Sequence, residues 1–234
     1  RMKHVREVCQ SISLFLAPSR FLREKFVNLG IPEEKILFHE CGLQTEYIQP
    51  VERSQSKETL TFAYIGVVDP VKGIHLLVEA FQTLREAELH IYGGEASYAP
   101  YPDEKRFRSQ LANSPYIRRM GRYENHEVGR ILAQVDVVIV PSIWYENAPL
   151  VIREAFLAHK PVITADFGGM REWVTDGVNG LLFQPHSVED LRQKILRFMT
   201  EPDLVAKLSQ AFPAVRSIRE DATLLQQHYQ ELVE

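Results

Sequence analysis

Three side chains, two in loops rich in glycine or proline and one in the helix that follows, have the types and spacing to grip a phosphorylated, hydroxyl-rich ligand. Lys72 stands near the end of Gly66-Val67-Val68-Asp69-Pro70-Val71-Lys72-Gly73, just before a helical pattern that starts at Ile74. Glycines let a backbone approach a ligand closely, and a lysine beside the free N–H groups of a helix N-terminus suits phosphate. The helix end alone contributes only about 0.3–1 kcal/mol, so Lys72 would supply much of the attraction. The competing reading of this loop is a surface turn carrying a solvated lysine. The second stretch, Pro141-Ser142-Ile143-Trp144-Tyr145-Glu146-Asn147-Ala148-Pro149, runs into a helix at Leu150. Proline suits the first helical turn and leaves the N–H groups of Leu150 and Val151 for an anion. Glu146 lies in that loop and Glu154 about one turn into the helix. Carboxylates accept hydrogen bonds from vicinal hydroxyls and repel phosphate, so this pair fits a sugar ring and a ribose. A Glu154 merely solvated on its helix is the alternative. A hydrolytic acid/base pair does not follow, because positions on a loop and a helix fix no separation between the carboxylates.

Weaker candidates share the same sheet edge. Gly93-Gly94-Glu95, Gly121-Arg122-Tyr123 and Phe167-Gly168-Gly169-Met170 each follow a strand pattern. Arg122 or Tyr123 could face a nucleobase, although glycines at such places more often serve tight turns. Neither a Walker A loop nor G-x-G-x-x-G occurs, which removes the usual support for ATPase and dinucleotide readings. The eight histidines lack metal-ligand spacing, His39-x-Cys41 has no sequence partners, and no metal site is expected.

Elements of the right type and order exist to position these loops. Strand patterns fall at 60–65, 89–92, 116–119, 137–140, 161–164 and 180–183, and helical patterns at 74–85, 103–112, 125–133, 150–158 and 188–199. Ser187 is the expected N-cap of the last helix, with Asp190 at capping-box spacing. This alternation predicts an α/β fold, a doubly wound, mostly parallel six-stranded sheet. In the common strand order 3-2-1-4-5-6, strands one and four are neighbours where the order reverses. Ligands bind outside the carboxyl ends of such strands, which brings loops 66–73 and 141–149 together.

The flanks read differently. A strand over 12–16, a helix over 20–29 capped by Ser19 and ended by Gly30, a strand over 35–38 and a polar linker over 49–57 are too little for a domain. After Pro213, a helix over 217–233 carries Ile218, Ala222, Leu225, Tyr229 and Leu232 as one apolar stripe needing a packing partner. The expected division is a remnant of a preceding domain with its linker (1–56), a ligand-binding Rossmann-like domain (57–212), and a C-terminal helix packing toward the preceding domain (213–234).

Composition excludes several classes. The 234 residues are 45% apolar and 25% charged, and 27 basic against 31 acidic residues leave a net charge of −4. No electropositive surface for nucleic acid or anionic membrane is expected, and no apolar run approaches the ~20 residues of a membrane span. Cys9 and Cys41 are too few to staple the fold; read as small buried hydrophobes, they suit a reducing compartment and a cytoplasmic location. Residues 1–4 look like a basic n-region, but the apolar run at 14–17 is too short for a signal peptide. A chain opening at Arg1 reads as a piece of a longer one.

Four blocks together resemble the retaining glycosyltransferases of family 4, the group 1 glycosyltransferases with the two-domain GT-B fold. They are Ala17-Pro18-Ser19 with Gly30-Ile31-Pro32 and Lys35-Ile36; Tyr64-Ile65-Gly66 to Lys72-Gly73 with Leu77 and Ala80-Phe81; Pro141-Ser142 through Glu146 and Glu154-Ala155; and Lys160-Pro161-Val162 with Gly168-Gly169, Glu172, Asp176-Gly177 and Gly180. Glu146 and Glu154 reproduce the family's E-x7-E spacing. The resemblance implies the C-terminal, nucleotide-sugar-binding domain, with Gly66 in the first loop and Lys72 on the donor diphosphate. It puts Glu146 on the transferred sugar, Glu154 on the ribose, backbone N–H groups around Asn147, Ala148, Leu150 and Val151 near phosphate, and Arg122 and Tyr123 by the base. Lys72 and Glu146 would be the catalytic pair. The implied donor is a UDP-, GDP- or ADP-sugar, with no tightly bound cofactor and no metal. A saccharide or lipid-linked acceptor would be bound through the N-terminal domain, so the chain alone would bind nucleotide but transfer sugar poorly. The family usually has arginine where Val67 stands, which leaves the phosphate clamp to Lys72, helped by Arg122 or Arg171. A sugar-nucleotide epimerase of the same fold and a non-catalytic sugar-nucleotide-binding or interaction domain with a degenerate clamp are the alternatives.

Overall fold

The apolar runs at 60–65, 137–140 and 162–165 become strands buried on both faces, as a sheet covered by helices on either side demands, whereas the edge run Ile117–Gly121 is largely exposed. The computed structural model describes residues 2–50, 59–96 and 101–233. Most of the linker expected over 49–57, with its boundary after 56, lies outside the described residues. The chain divides into two compact units, Arg1–Thr45 with Ala214–Glu234, and Glu46–Pro213.

The first unit contains α1 (Met2–Gln10), β1 (Phe15–Ala17), α2 (Arg20–Asn28) and β2 (Ile36–Phe38). β1 and β2 pair in parallel. Ser19 caps α2 as expected, its hydroxyl accepting from Leu22 N at 3.1 Å. The larger unit carries β3 (Leu60–Ile65), α3 (Ile74–Phe81), β4 (Ala87–Tyr92), α4 (Glu104–Asn113), β5 (Ile117–Gly121), α5 (Val128–Ala133), β6 (Val137–Val140), α6 (Leu150–Leu157), β7 (Val162–Ala165), β8 (Gly180–Phe183), α7 (Val188–Thr200) and α8 (Leu204–Leu208). The chain closes in α9 (Ile218–Val233), which belongs to the first unit.

β3 to β8 form one sheet in the order β5-β4-β3-β6-β7-β8, every adjacent pair parallel, which is the doubly wound order expected from the sequence. Helix α3 packs with α4 and α7, and α5 with α6. Right-handed crossovers leaving a central strand in both directions dictate these two groups. Phe62 of β3 meets Phe81 of α3 and Phe198 of α7 edge-on, with ring centroids 5.7 and 6.2 Å apart. Asp136, the polar residue opening the apolar run of β6, is buried. Its carboxylate accepts Thr61 N at 2.8 Å and its own N–H donates to Thr61 O, which fixes the start of β6 against β3.

Several boundaries differ from the sequence pattern. α3 ends at Phe81 rather than 85, because the chain turns after Gln82 and passes through Glu86 at φ +64° to enter β4. The helix expected over 125–133 begins as a 3-10 turn at Asn125–Glu127. Ser187 does cap α7, accepting from Asp190 N, but Asp190 completes no capping box; its carboxylate accepts from Gln184 N instead. Cys41 is exposed and Cys9 only partly buried, so neither is the small buried hydrophobe expected.

The stripe on α9 is not its buried face. Ile218, Tyr229 and Leu232 are exposed, whereas Asp221 is buried. His39 Nε2 donates to Asp221 Oδ1 at 2.5 Å and Gly42 N to Oδ2 at 2.9 Å, so a charge-assisted contact decides which side of α9 faces inward. His39 thus has a partner that its local sequence did not reveal.

Candidate functional site

The loop after β3 is folded by its own residues. Asp69 is fully buried and accepts from Val71 N at 2.9 Å; with Pro70 fixing the next φ, it starts the 3-10 turn Pro70–Lys72. Gly73 then takes a left-handed conformation (φ +71°) and opens α3. A Cβ at Gly73 would stand 1.8 Å from Pro141 O, so glycine alone permits the first loop to lie against the second. Ile143 N donates to Val71 O at 3.1 Å across the same junction. On its other side the second loop is clamped by Gly169, whose N–H donates to Glu146 O at 2.8 Å and whose added Cβ would meet Asn147 O at 1.8 Å.

Between these clamps the structure joins two of the three leading residues. Lys72 Nζ donates to Glu146 Oε1 at 2.7 Å, and Ser142 Oγ donates to the same oxygen at 2.8 Å. The Lys72 side chain is 36% exposed and that of Glu146 15%. A cavity of about 300 Å³ opens beside them at the ends of β3 and β6. Gly66, Lys72, Glu146, Leu150 and Val151 line it, together with Tyr64, Val67, Ser142 and Pro149. Tyr64 OH donates to Val67 O and holds the loop tip over the cavity. Burial, then the negative charge of Glu146, pushes the Tyr64 phenol far up, so it remains a hydrogen-bond donor.

The remaining candidates lie off this cavity wall. Pro149 is the N-cap of α6 rather than a first-turn residue, and no side chain caps the helix. Asn147 is exposed and Ala148 partly buried. Glu154 is partly buried one turn into α6; desolvation raises its carboxyl, with Arg153 opposing. The Tyr123 phenol is raised by burial and then by Glu154, which places those two within electrostatic reach of each other. Arg122 lies over Gly94, where an added Cβ would come within 2.8 Å of its Nε. Arg171 sits 3.3 Å from Asp166. Neither arginine lines the wall that holds Lys72. Among the described residues no cluster of three or more His, Cys, Asp or Glu could hold a metal ion. Sequence reasoning missed Ser142 and Tyr64. Their signals were Ser142's place between Pro141 and the acidic loop, and a phenol in the last turn of an otherwise apolar strand.

Residues 48–214, well over half the chain, match the family model described as Glycosyl transferases group 1. The chain belongs to the group 1 glycosyl transferases. Among curated relatives of this glycosyltransferase domain are the D-inositol 3-phosphate glycosyltransferase of Actinosynnema mirum, 30% identical over 73% of this chain and 45% of that protein, and the amylovoran biosynthesis glycosyltransferase AmsK of Erwinia amylovora, 25% identical over 82% and 49%. The chain spans less than half the length of these relatives. Sucrose-phosphate synthase from Thermosynechococcus elongatus has the same fold at TM-score 0.84 and 20% identity, over 99% of this chain and 61% of that one. HepE of Anabaena, solved with UDP and glucose, superposes at TM-score 0.79 and 20% identity, over 100% and 67%. The fold is accordingly that of a GT-B glycosyltransferase. Among the described residues no helix is long and apolar enough to cross a membrane.

Proposed function

We propose that the 46–213 unit of this group 1 glycosyltransferase binds a nucleoside diphosphate sugar and presents its sugar for transfer with retention of anomeric configuration, as in family 4. The observation that carries this reading is the 2.7 Å contact of Lys72 with Glu146 at the mouth of the cavity between β3 and β6. A cation there suits the diphosphate, and the uncapped N-terminus of α6, with the N–H groups of Leu150 and Val151, adds donors for it. In transfer, Lys72 would stabilise charge growing on the leaving diphosphate while Glu146 holds the sugar. Glu154 is assigned to the ribose and Tyr123 with Arg122 to the base. UDP in the HepE crystal supports a nucleotide donor, and UDP, GDP and ADP are the candidates.

The domain division is proposed as a remnant of the acceptor half with its linker at 1–56, the donor half at 57–212, and a C-terminal helix at 213–234 that packs toward the acceptor half. The saccharide or lipid-linked acceptor binds through the rest of that acceptor half, so the chain by itself binds nucleotide and turns over poorly. Its free thiols favour a cytoplasmic setting. Val67, exposed on the cavity wall in a place where the family usually has arginine, favours a second reading, a binding domain without transferase activity.

Calorimetric titration with UDP, GDP and ADP tests the proposal. One nucleotide binds, and Lys72→Ala lowers its affinity by about tenfold or more, the effect of losing a charge-assisted contact. Unchanged affinity in Lys72→Ala refutes the assignment. Nucleotide binding without donor turnover, even when the acceptor half is supplied, selects the second reading.

A further inference from the structure

We propose that Ser142 is a positioning residue that lets Lys72 change partners, from Glu146 to the diphosphate of a bound donor. The inference rests on the donor-binding reading above. Lys72 Nζ and Ser142 Oγ converge on a single oxygen, Glu146 Oε1, at 2.7 and 2.8 Å. The two donors differ in freedom. Lys72 sits on a long, partly exposed stem, whereas Ser142 is 1% exposed and its hydroxyl also accepts from Trp144 N at 3.3 Å. Its backbone neighbour Ile143 is bonded to Val71 of the facing loop.

Lys72 is thus held by an internal carboxylate, and a diphosphate must compete for it. Were Lys72 the sole donor to Glu146, its departure would strand a largely buried carboxylate, which is costly. Ser142 removes most of that cost. Its single proton has three acceptors within reach: Glu146 Oε1 at 2.8 Å, Val71 O at 3.2 Å and Trp144 O at 3.5 Å. The charged and nearest acceptor takes it, and it stays on Glu146 when Lys72 swings away. Ser142 thereby sets nucleotide affinity without touching the nucleotide. It also keeps the Glu146 carboxylate aimed at the sugar after the lysine has gone.

A double-mutant cycle on the nucleotide that the wild-type chain binds reads this directly. Ser142→Ala raises its Kd about fivefold, because the serine bond exists with and without the nucleotide and only its gain in strength on the departure of Lys72 enters Kd. Ser142→Thr, which keeps the hydroxyl, stays within about twofold of wild type. In the Glu146→Gln background no carboxylate is stranded and the serine proton can turn to Val71 O, so Ser142→Ala changes Kd by less than about twofold. Ser142→Cys, a weak donor of similar volume, follows Ala and serves if the alanine variant fails to fold. An unchanged Kd in Ser142→Ala overturns the proposal, and so does an equal loss in both backgrounds, the mark of a purely structural serine. The donor-binding reading fails separately, and takes this proposal with it, if the wild-type chain binds none of UDP, GDP and ADP.

Discussion

Gly73→Ala isolates the requirement that two backbones touch for the site to exist. The substitution meets two obstacles, a left-handed backbone at φ +71° and a new Cβ 1.8 Å from Pro141 O. Gly177→Ala in the same unit meets only the first, with φ +74° and nothing within 4 Å of the added carbon. Left-handed strain costs a non-glycine residue about 1–2 kcal/mol, and forced overpacking adds about 1–3 kcal/mol. Gly177→Ala should thus lose about 1–2 kcal/mol and Gly73→Ala about 2–5 kcal/mol, and a unit of this size loses about 2–4 °C of Tm per kcal/mol. The carbonyl facing Gly73 is backbone and cannot rotate aside like a side chain, so relief must come from separating the loops. That separation carries Lys72 away from Glu146, and nucleotide affinity falls alongside Tm in Gly73→Ala but not in Gly177→Ala. Calorimetric melting of both variants with nucleotide titration is the assay. Equal Tm losses for the two, or undiminished nucleotide binding by Gly73→Ala, would refute the argument.

Two further outcomes follow from buried carboxyls. Burial raises the Glu154 carboxyl in the folded state, so its contribution to stability is fully present below the ordinary carboxylate pKa and is lost as pH rises through the raised value. Glu154→Gln should raise Tm near neutral pH relative to wild type and flatten that decline, as melting from pH 4 to 8 would show; a wild-type curve rising through this range relative to the variant contradicts the sign. Asp221 accepts from both His39 Nε2 and Gly42 N. Asp221→Ala should destabilise the first unit by about 2–3 kcal/mol and deprotect the Gly42 amide in hydrogen exchange, whereas an unaltered Gly42 exchange rate rules out that role.

The sheet was legible because β3, β6, β7 and β8 are largely apolar runs, and three of the six strands, 60–65, 137–140 and 180–183, match residue for residue. Loop adjacency followed from strand order alone. What stayed hidden depended on partners distant in sequence. The α9 stripe was read as packing toward a preceding domain, and Ile218, Tyr229 and Leu232 are exposed, while the Asp221 contacts with residues 39 and 42 left no local trace in the sequence. α3 keeps its pattern through Leu84, which is buried although it lies beyond the helix, so burial and helicity part company there. α1 carries Val5 and Val8 on its exposed surface, while Cys9 packs against the small cluster of Ala17, Ile31 and Ile36. At the site, spacing brought forward Lys72 and Glu146. The serine bonded to the same carboxylate oxygen carries no charge, so its place after Pro141 marks it only weakly and geometry supplies its role.

The His39–Asp221 contact joins residues 182 apart in the chain. On a ribosome adding about 5–20 residues per second, His39 is made some ten to forty seconds before its partner exists. Every strand of the six-stranded sheet is synthesised within that interval. The unit built from both flanks therefore closes only after the whole six-stranded sheet has been synthesised. Until then β1 and β2 lack α9, and the His39 imidazole lacks its carboxylate.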